Sequence, residues 1–153
     1  MQALYDNWHI NLLVVATTAL TVALVVLLHY EGLVWLSGRL ATQGNGQQRR
    51  KVLYGIYVLL AFHVVEIWVF GFAIWLLLAV PGAGHVAGLS GGGLMDAVYL
   101  SASTFTTVGF GDLAPVGPIR FLSGTEALTG LVLVTWSASF TYIEMEKFWR
   151  NNR

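Results

Sequence analysis

Thr106-Thr107-Val108-Gly109-Phe110-Gly111-Asp112 is the stretch on which the reading of this chain turns. Alternate glycines let a backbone take positive φ, a conformation that a Cβ opposes, so that successive carbonyls can point the same way. What the stretch means depends on what flanks it.

On its N-terminal side, Leu94 to Thr106 is too short to cross a bilayer, so as a helix it is re-entrant. Asp96, near the start of that segment, suits the positive end of a helix dipole. On its C-terminal side an apolar run extends from Ile119 to about Ile143. Upstream, Val52 to Val80 is long enough to span with tilt. Pro81-Gly82-Ala83-Gly84 ends that run, because proline cannot continue the helical ladder, and a Gly-rich loop including Ser90-Gly91-Gly92-Gly93 follows. A further run, Asn11 to Leu28 continued through Tyr30 and Leu33 to Leu36, can also span a hydrocarbon core of about 30 Å. Residues 1–11 hold no Lys or Arg, so the basic region of a cleaved signal peptide is missing and the run reads as a span. His29 and Glu31, near its end, read as interfacial residues.

Composition agrees with a membrane class. The 153 residues are 56% hydrophobic and 10% charged, against about 25% charged in soluble domains, and mean hydropathy is +0.68. A net charge of +0 gives no field that would draw the chain to nucleic acid, and the absence of cysteine excludes disulfides and thiolate metal sites. The polar break from Arg39 to Lys51, with Gly44-Asn45-Gly46-Gln47-Gln48 as a flexible loop, carries Arg39, Arg49, Arg50 and Lys51. The chain's end carries Lys147, Arg150 and Arg153, and Arg120 stands alone among the segments between. The positive-inside rule then puts loop and C-terminus in the cytoplasm, and the N-terminus and Gly-rich loop outside. Tyr5, Trp8, Trp35, Tyr54 and Trp149 fit interfacial belts, with Trp68 and Trp136 deeper.

Irregular backbone at membrane depth is tolerated only where it is buried in protein or lines a water-filled path. Four strands of the Thr107–Gly111 type around an axis would stack rings of oxygen that replace the hydration shell of K⁺, with Thr107 adding a hydroxyl ring at the inner end. The segment resembles the filter of the potassium-channel superfamily, with Phe110 where many members have Tyr. A chance match is on the order of 10⁻⁴ for a chain of this length. The resemblance covers residues 52–143 and looks like simple bacterial channels with two helices and a pore loop, preceded by an extra span. The Phe form also resembles filters of two-pore-domain channels, but this chain has one pore loop. The resemblance implies that the carbonyls of Thr107, Val108, Gly109 and Phe110 line the K⁺ sites, while Gly111 and Asp112 shape the outer mouth. Phe110 lacks the hydroxyl that Tyr would use, and Leu100 and Ser103 stand where some relatives carry a bracing Trp and carboxylate. One pore loop is a quarter of a ring, so a C4 homotetramer is expected.

Other residues carry open alternatives. His63 and Glu66 lie near mid-span one helical turn apart, where an ionisable residue is costly. They read as a proton-sensing pair, as half of a metal site, or as a hydrogen-bonding pair clamping this helix to the pore helix or third span. Two ligands make no closed metal site. Glu126, about two turns into the third span, is expected to reach behind the filter to Ser103 or Thr106, or else to be a solitary buried acid that is protonated or paired with a neighbouring-span hydroxyl. Gly130 stands where relatives have a hinge glycine, yet Gly124, Ala127 and Gly130 also suit close helix packing. Leu131, Val134, Thr135 and Ala138 are expected to line the cavity or gate. Neither of the first two spans has the Arg series of a voltage sensor.

The expectation is an all-α membrane protein with three transmembrane helices, a re-entrant pore helix and a filter loop per subunit. In segments it comprises an extra N-terminal helix 1–36, a cytoplasmic loop 37–51, a pore domain 52–143 and a cytoplasmic tail 144–153. Within the pore domain fall an outer helix 52–80, an extracellular loop 81–93, a pore helix 94–106, the filter 107–111 and an inner helix 119–143. The expected function is a K⁺-selective channel of the plasma membrane, with a weakly selective cation channel or a non-conducting partner subunit as alternatives. No enzymatic role, cofactor or nucleic-acid partner is expected. Its partners are three further copies of itself and the lipid bilayer. Because the chain has no native Cys, single cysteines report topology cleanly. A cysteine at position 2 should react with an impermeant maleimide from outside the cell and one at position 45 only from inside; the opposite pattern reverses the orientation.

Overall fold

The computed structural model describes residues 7–42, 48–88 and 92–150, with side chains for 7–42, 50–88 and 92–147. Gly44-Asn45-Gly46-Gln47, Ser90-Gly91, Tyr5, Arg153 and the labelling positions 2 and 45 lie outside the described residues, as do the side chains of Arg49, Trp149 and Arg150. Among the described residues the order is α1 (Trp8–Thr42), α2 (Gln48–Leu78), β1 (His85–Ala87), α3 (Leu94–Phe105), β2 (Ala114–Val116) and α4 (Arg120–Arg150). Two helices among the described residues are long and apolar enough to cross a membrane, Trp8–Thr42 and Arg50–Leu78. With 31 residues α4 has the length of a span, while Ser, Thr and Gly dilute its apolar character. The chain is a mostly helical membrane protein.

The helices outrun the expected segments. Much of the loop expected over 37–51 is helix, because α1 runs to Thr42 and α2 begins at Gln48. Likewise α4 continues to Arg150, through residues expected as a tail, with Lys147 Nζ donating to Glu144 Oε1 one turn away. Charged residues at these ends are good helix formers, and at a bilayer surface they need not stop a helix.

The short helix α3 packs between α2 and α4, and α1 lies against α2 and α4. At the start of α3, the Gly93 N–H donates to Asp96 Oδ2 at 3.2 Å, which satisfies one donor of the exposed helix end. Close approach of α2 depends on Gly71, where a Cβ would lie 2.7 Å from the Val98 Cα. The segments before and after α3 are joined by an antiparallel ladder that pairs His85 with Val116 and Ala87 with Ala114. The Ile119 N–H closes the frame by donating to the Ala83 carbonyl at 2.9 Å. These strands are too short for a two-residue alternation to be read from sequence.

Buried side chains form two apolar clusters. One surrounds α3 and includes Phe70, Ile74, Leu100, Phe105, Leu122 and Leu133. The other, Leu33, Leu36, Leu40 and Leu59, lies toward the α1–α2 connection. Gly130 touches the end of α3: a Cβ there would stand 2.1 Å from the Phe105 carbonyl oxygen and 2.9 Å from the Phe105 ring. It is a packing glycine in this arrangement, whereas Gly124 has open space around its Cβ direction and packs against nothing in its own chain. Overpacking a tight site costs about 1–3 kcal/mol. Gly130→Ala should therefore lower the unfolding temperature in detergent while Gly124→Ala leaves it within error, and equal effects of the two would contradict this packing.

Candidate functional site: an irregular segment held against the short helix

After α3 ends, the backbone alternates. Thr107, Gly109 and Gly111 have φ of 59°, 53° and 84°, whereas Val108 and Phe110 keep the negative φ normal for L-residues. Glycine takes the left-handed region freely, but Thr107 does not, and a non-glycine residue held there costs about 1–3 kcal/mol. Two hydrogen bonds fix this conformation to the helix end: the Thr107 N–H donates to the Thr104 carbonyl at 2.9 Å, and the Gly109 N–H to the Ser103 carbonyl at 3.0 Å. They occupy carbonyls that the last turn of a helix leaves unpaired.

Residues 106–112 are all exposed in the single chain, with Val108 at 56% and Phe110 at 69%. Phe110 is not unsupported. Its ring stacks on Tyr99 with centroids 6.2 Å apart and planes 5° from parallel. The Tyr99 hydroxyl donates to Asp112 Oδ2 at 2.8 Å, and this bond to the carboxylate holds the phenol above its usual range. One residue of α3 thus touches the strand on both sides of Gly111. Sequence reasoning missed Tyr99, because it looked for bracing at Leu100 and Ser103; both are buried, and Ser103 Oγ donates to the Leu100 carbonyl of its own helix.

Glu126 is fully buried, and its partner differs from the expectation. Thr106 Oγ1 is committed to the Ala102 carbonyl at 2.7 Å, as Ser103 is to Leu100, so neither reaches Glu126. Serine and threonine in helices commonly bond back to carbonyls three or four residues earlier. Ser101 meets Glu126 Oε1 instead, and the same hydroxyl lies 2.8 Å from the Ile67 carbonyl. One side chain of α3 thereby ties α2 to α4 behind the strand. Of the residues expected to face a cavity, Leu131, Val134, Thr135 and Ala138 are all exposed on α4, and Thr135 Oγ1 is bonded to the Leu131 carbonyl at 2.7 Å.

His63 and Glu66 meet a third residue. His29 is not interfacial: α1 extends well past it, and the ring is fully buried, donating from Nδ1 to Glu66 Oε1 at 2.8 Å. His63 Nδ1 donates to Glu66 Oε2 at 2.8 Å, so the carboxylate sits between two imidazoles. The clamp therefore runs from α2 to α1 and not to the pore helix. His29 Nε2 lies 3.5 Å from Ser137 Oγ on α4.

A re-entrant-length helix, a left-handed-alternating strand behind it and long flanking helices define a pore-loop membrane protein. Residues 55–147, more than half of the chain, match the family described as Ion channel, and the chain belongs to that family, a group of pore-loop channels within the potassium-channel superfamily. Its class is therefore ion transport. The chain is also similar to Protein LctB of Geobacillus stearothermophilus, 40% identical over 53 residues, which are 35% of this chain and 40% of that protein. It is 42% identical to Protein LctB of Bacillus caldotenax over 40 residues, 26% of this chain and 30% of that protein. The matches thus span well under half of these curated relatives. No solved structure matches the chain.

If Tyr99 acts through both contacts, Tyr99→Phe keeps the stack and loses the Asp112 bond, and Tyr99→Ala loses both. Bilayer recordings should show conduction decaying faster in Tyr99→Phe than in wild type and faster still in Tyr99→Ala. Asp112→Asn should add little to Tyr99→Phe, and full additivity would mean that the two residues act separately.

Proposed function

We propose that this ion channel is selective for K⁺ and that its filter is the backbone of Thr107, Val108, Gly109 and Phe110, with Gly111 and Asp112 at the outer mouth. The observation that carries this reading is the alternation of left-handed residues at Thr107, Gly109 and Gly111 in an exposed strand directly after α3. Alternating φ turns consecutive carbonyls to one side, and a ring of such carbonyls can replace the water around a dehydrated K⁺ ion. The carbonyl end of α3 stops two residues before the strand's first site, so the negative end of its dipole favours a cation there.

In this reading the working pore is a homotetramer around the strand. A single chain leaves residues 106–112 exposed, and irregular backbone at membrane depth needs protein or a water-filled path beside it. Four copies supply both, with closed C4 symmetry. In each subunit α1, α2 and α4 cross the membrane, α4 being the pore-lining helix. Its exposed Leu131, Val134, Thr135 and Ala138 would face the cavity, which accounts for its Ser and Thr content. Gly130 would serve there by packing on Phe105. In the plasma membrane, the Lys and Arg distribution favours an N-terminus outside and a C-terminus in the cytoplasm.

Reconstituted in liposomes under opposed K⁺ and Na⁺ gradients, the protein should give reversal potentials that follow K⁺. Gly109→Ala should abolish flux, because a Cβ opposes the φ of 53° at that position. Equal permeability to both ions would make the pore weakly selective, and absent flux from a well-assembled tetramer would make it a partner subunit.

A further inference from the structure

His29 from α1 and His63 and Glu66 from α2 each offer one ligand atom, a ring nitrogen from each histidine and a carboxylate oxygen, and these lie within 4.8 Å of one another; in both rings Nδ1 faces the carboxylate at 2.8 Å. We propose that this cluster is a binding site for one divalent transition-metal ion of the zinc class, bridging α1 to the outer helix of the pore. This goes beyond ion conduction and does not depend on which ion the pore selects.

Two imidazoles and one carboxylate are a donor set that suits Zn²⁺ and its first-row neighbours, whereas Mg²⁺ and Ca²⁺ take oxygen ligands. Four-coordinate zinc with bonds of about 2.0–2.2 Å sets its donors about 3.4 Å apart, which the cluster reaches by side-chain shifts on the order of 1 Å. The site is built rather than accidental. His29 is 0% and Glu66 1% exposed, so rotamers are held by packing, while His63 at 14% leaves a way in. When a metal takes the Nδ1 atoms, each imidazole carries its hydrogen on Nε2, and that of His29 points toward Ser137 Oγ at 3.5 Å. An outer partner of this kind fixes the tautomer and ring plane of a metal-bound histidine.

Charge gives the second argument. Among the described residues, the ion-pair partners of Glu66 are the two histidines alone, and an imidazole offsets a carboxylate only when protonated. A carboxylate buried at membrane depth calls for a compensating cation, and a divalent ion bound by neutral imidazoles supplies one. The site also abuts the pore. The His63 ring is 5.9 Å from that of Phe105, the residue that ends α3 and against which Gly130 packs. A metal that fixes His63 therefore fixes a neighbour of the filter base, which gives extracellular or cytoplasmic zinc a route to regulate conduction.

The full-length protein, purified in detergent and stripped with EDTA, is titrated with ZnCl₂ and with CoCl₂ alone. Metal content, unfolding temperature and the visible Co²⁺ spectrum are followed. The expected result is one metal per chain, a higher unfolding temperature, and the intense d–d bands of tetrahedral Co²⁺. His63→Gln, at the partly exposed position, should remove all three signals, Glu66→Gln likewise, and Ser137→Ala should weaken binding about tenfold. The double variant His9→Gln/His85→Gln should bind as wild type does. Wild-type affinity in His63→Gln overturns the proposal, and so does binding lost only in the His9/His85 variant. No uptake by wild type at micromolar metal overturns it too; an unfolding temperature that then depends on pH alone would identify the cluster as a proton site.

Discussion

Backbone amides and carbonyls cannot be left unpaired in hydrocarbon, and the seven residues from Thr106 to Asp112 form no regular structure of their own. The features around that segment hold it in place. The helix α3 supplies carbonyl acceptors for the Thr107 and Gly109 N–H groups. The β1–β2 ladder draws together the chain before α3 and the chain after the irregular segment. Gly71 and Gly130 let α2 and α4 close on α3 from both sides, where any larger residue would strike Val98 or Phe105. A left-handed threonine at 107 persists because its surroundings over-determine it.

What supports the strand laterally is distributed over α3 by helical phase. Residues two apart on a helix lie about 200° around its axis from one another, so Tyr99 and Ser101 face different neighbours. Tyr99 faces the strand and meets Phe110 and Asp112. Ser101 faces away from it, toward Ile67 and Glu126. An aromatic stack at Phe110 takes the place of a hydroxyl contact, and it depends on shape and area in place of one directed bond. The segment is thus held from α3 by a ring face at Phe110 and by the Asp112 carboxylate.

The legible part of the molecule was its local part. Apolar run lengths, the proline at 81 and the spacing of Gly109 and Gly111 each report on a few consecutive residues, and helices stand at Gln48–Leu78 and Leu94–Phe105. Partnerships across helices were less legible. Nothing near His29 in sequence distinguishes an interfacial histidine from one bonded to a carboxylate 37 residues away. The partner of Glu126 was misread for a related reason: a hydroxyl two residues along a helix looks close in sequence but lies about 200° around the axis. Tyr99 was overlooked because an aromatic in an apolar helix ordinarily belongs to a core, and only the strand's path reveals that its ring and hydroxyl have separate partners.

The place of α1 follows from Glu66. The two apolar clusters are separated by a polar layer, since His29 falls between Val25 and Leu33 on α1 and Glu66 between Leu59 and Phe70 on α2. Each polar group in that layer is satisfied by one from another helix or turn: Glu66 by His29 and His63, and His29 by Ser137 on its far side. A purely apolar interface would slide in a bilayer, because lipid tails are as apolar as leucine and give helices little reason to choose one register. A carboxylate with one partner on each helix has a single satisfactory register, and breaking such a buried pair costs about 3–5 kcal/mol. The same carboxylate would be left half-partnered without α1, since only His63 would remain bonded to it. The first helix is therefore locked to the channel's core by an intramembrane polar contact, one turn from the aromatic contact that leads to the end of α3.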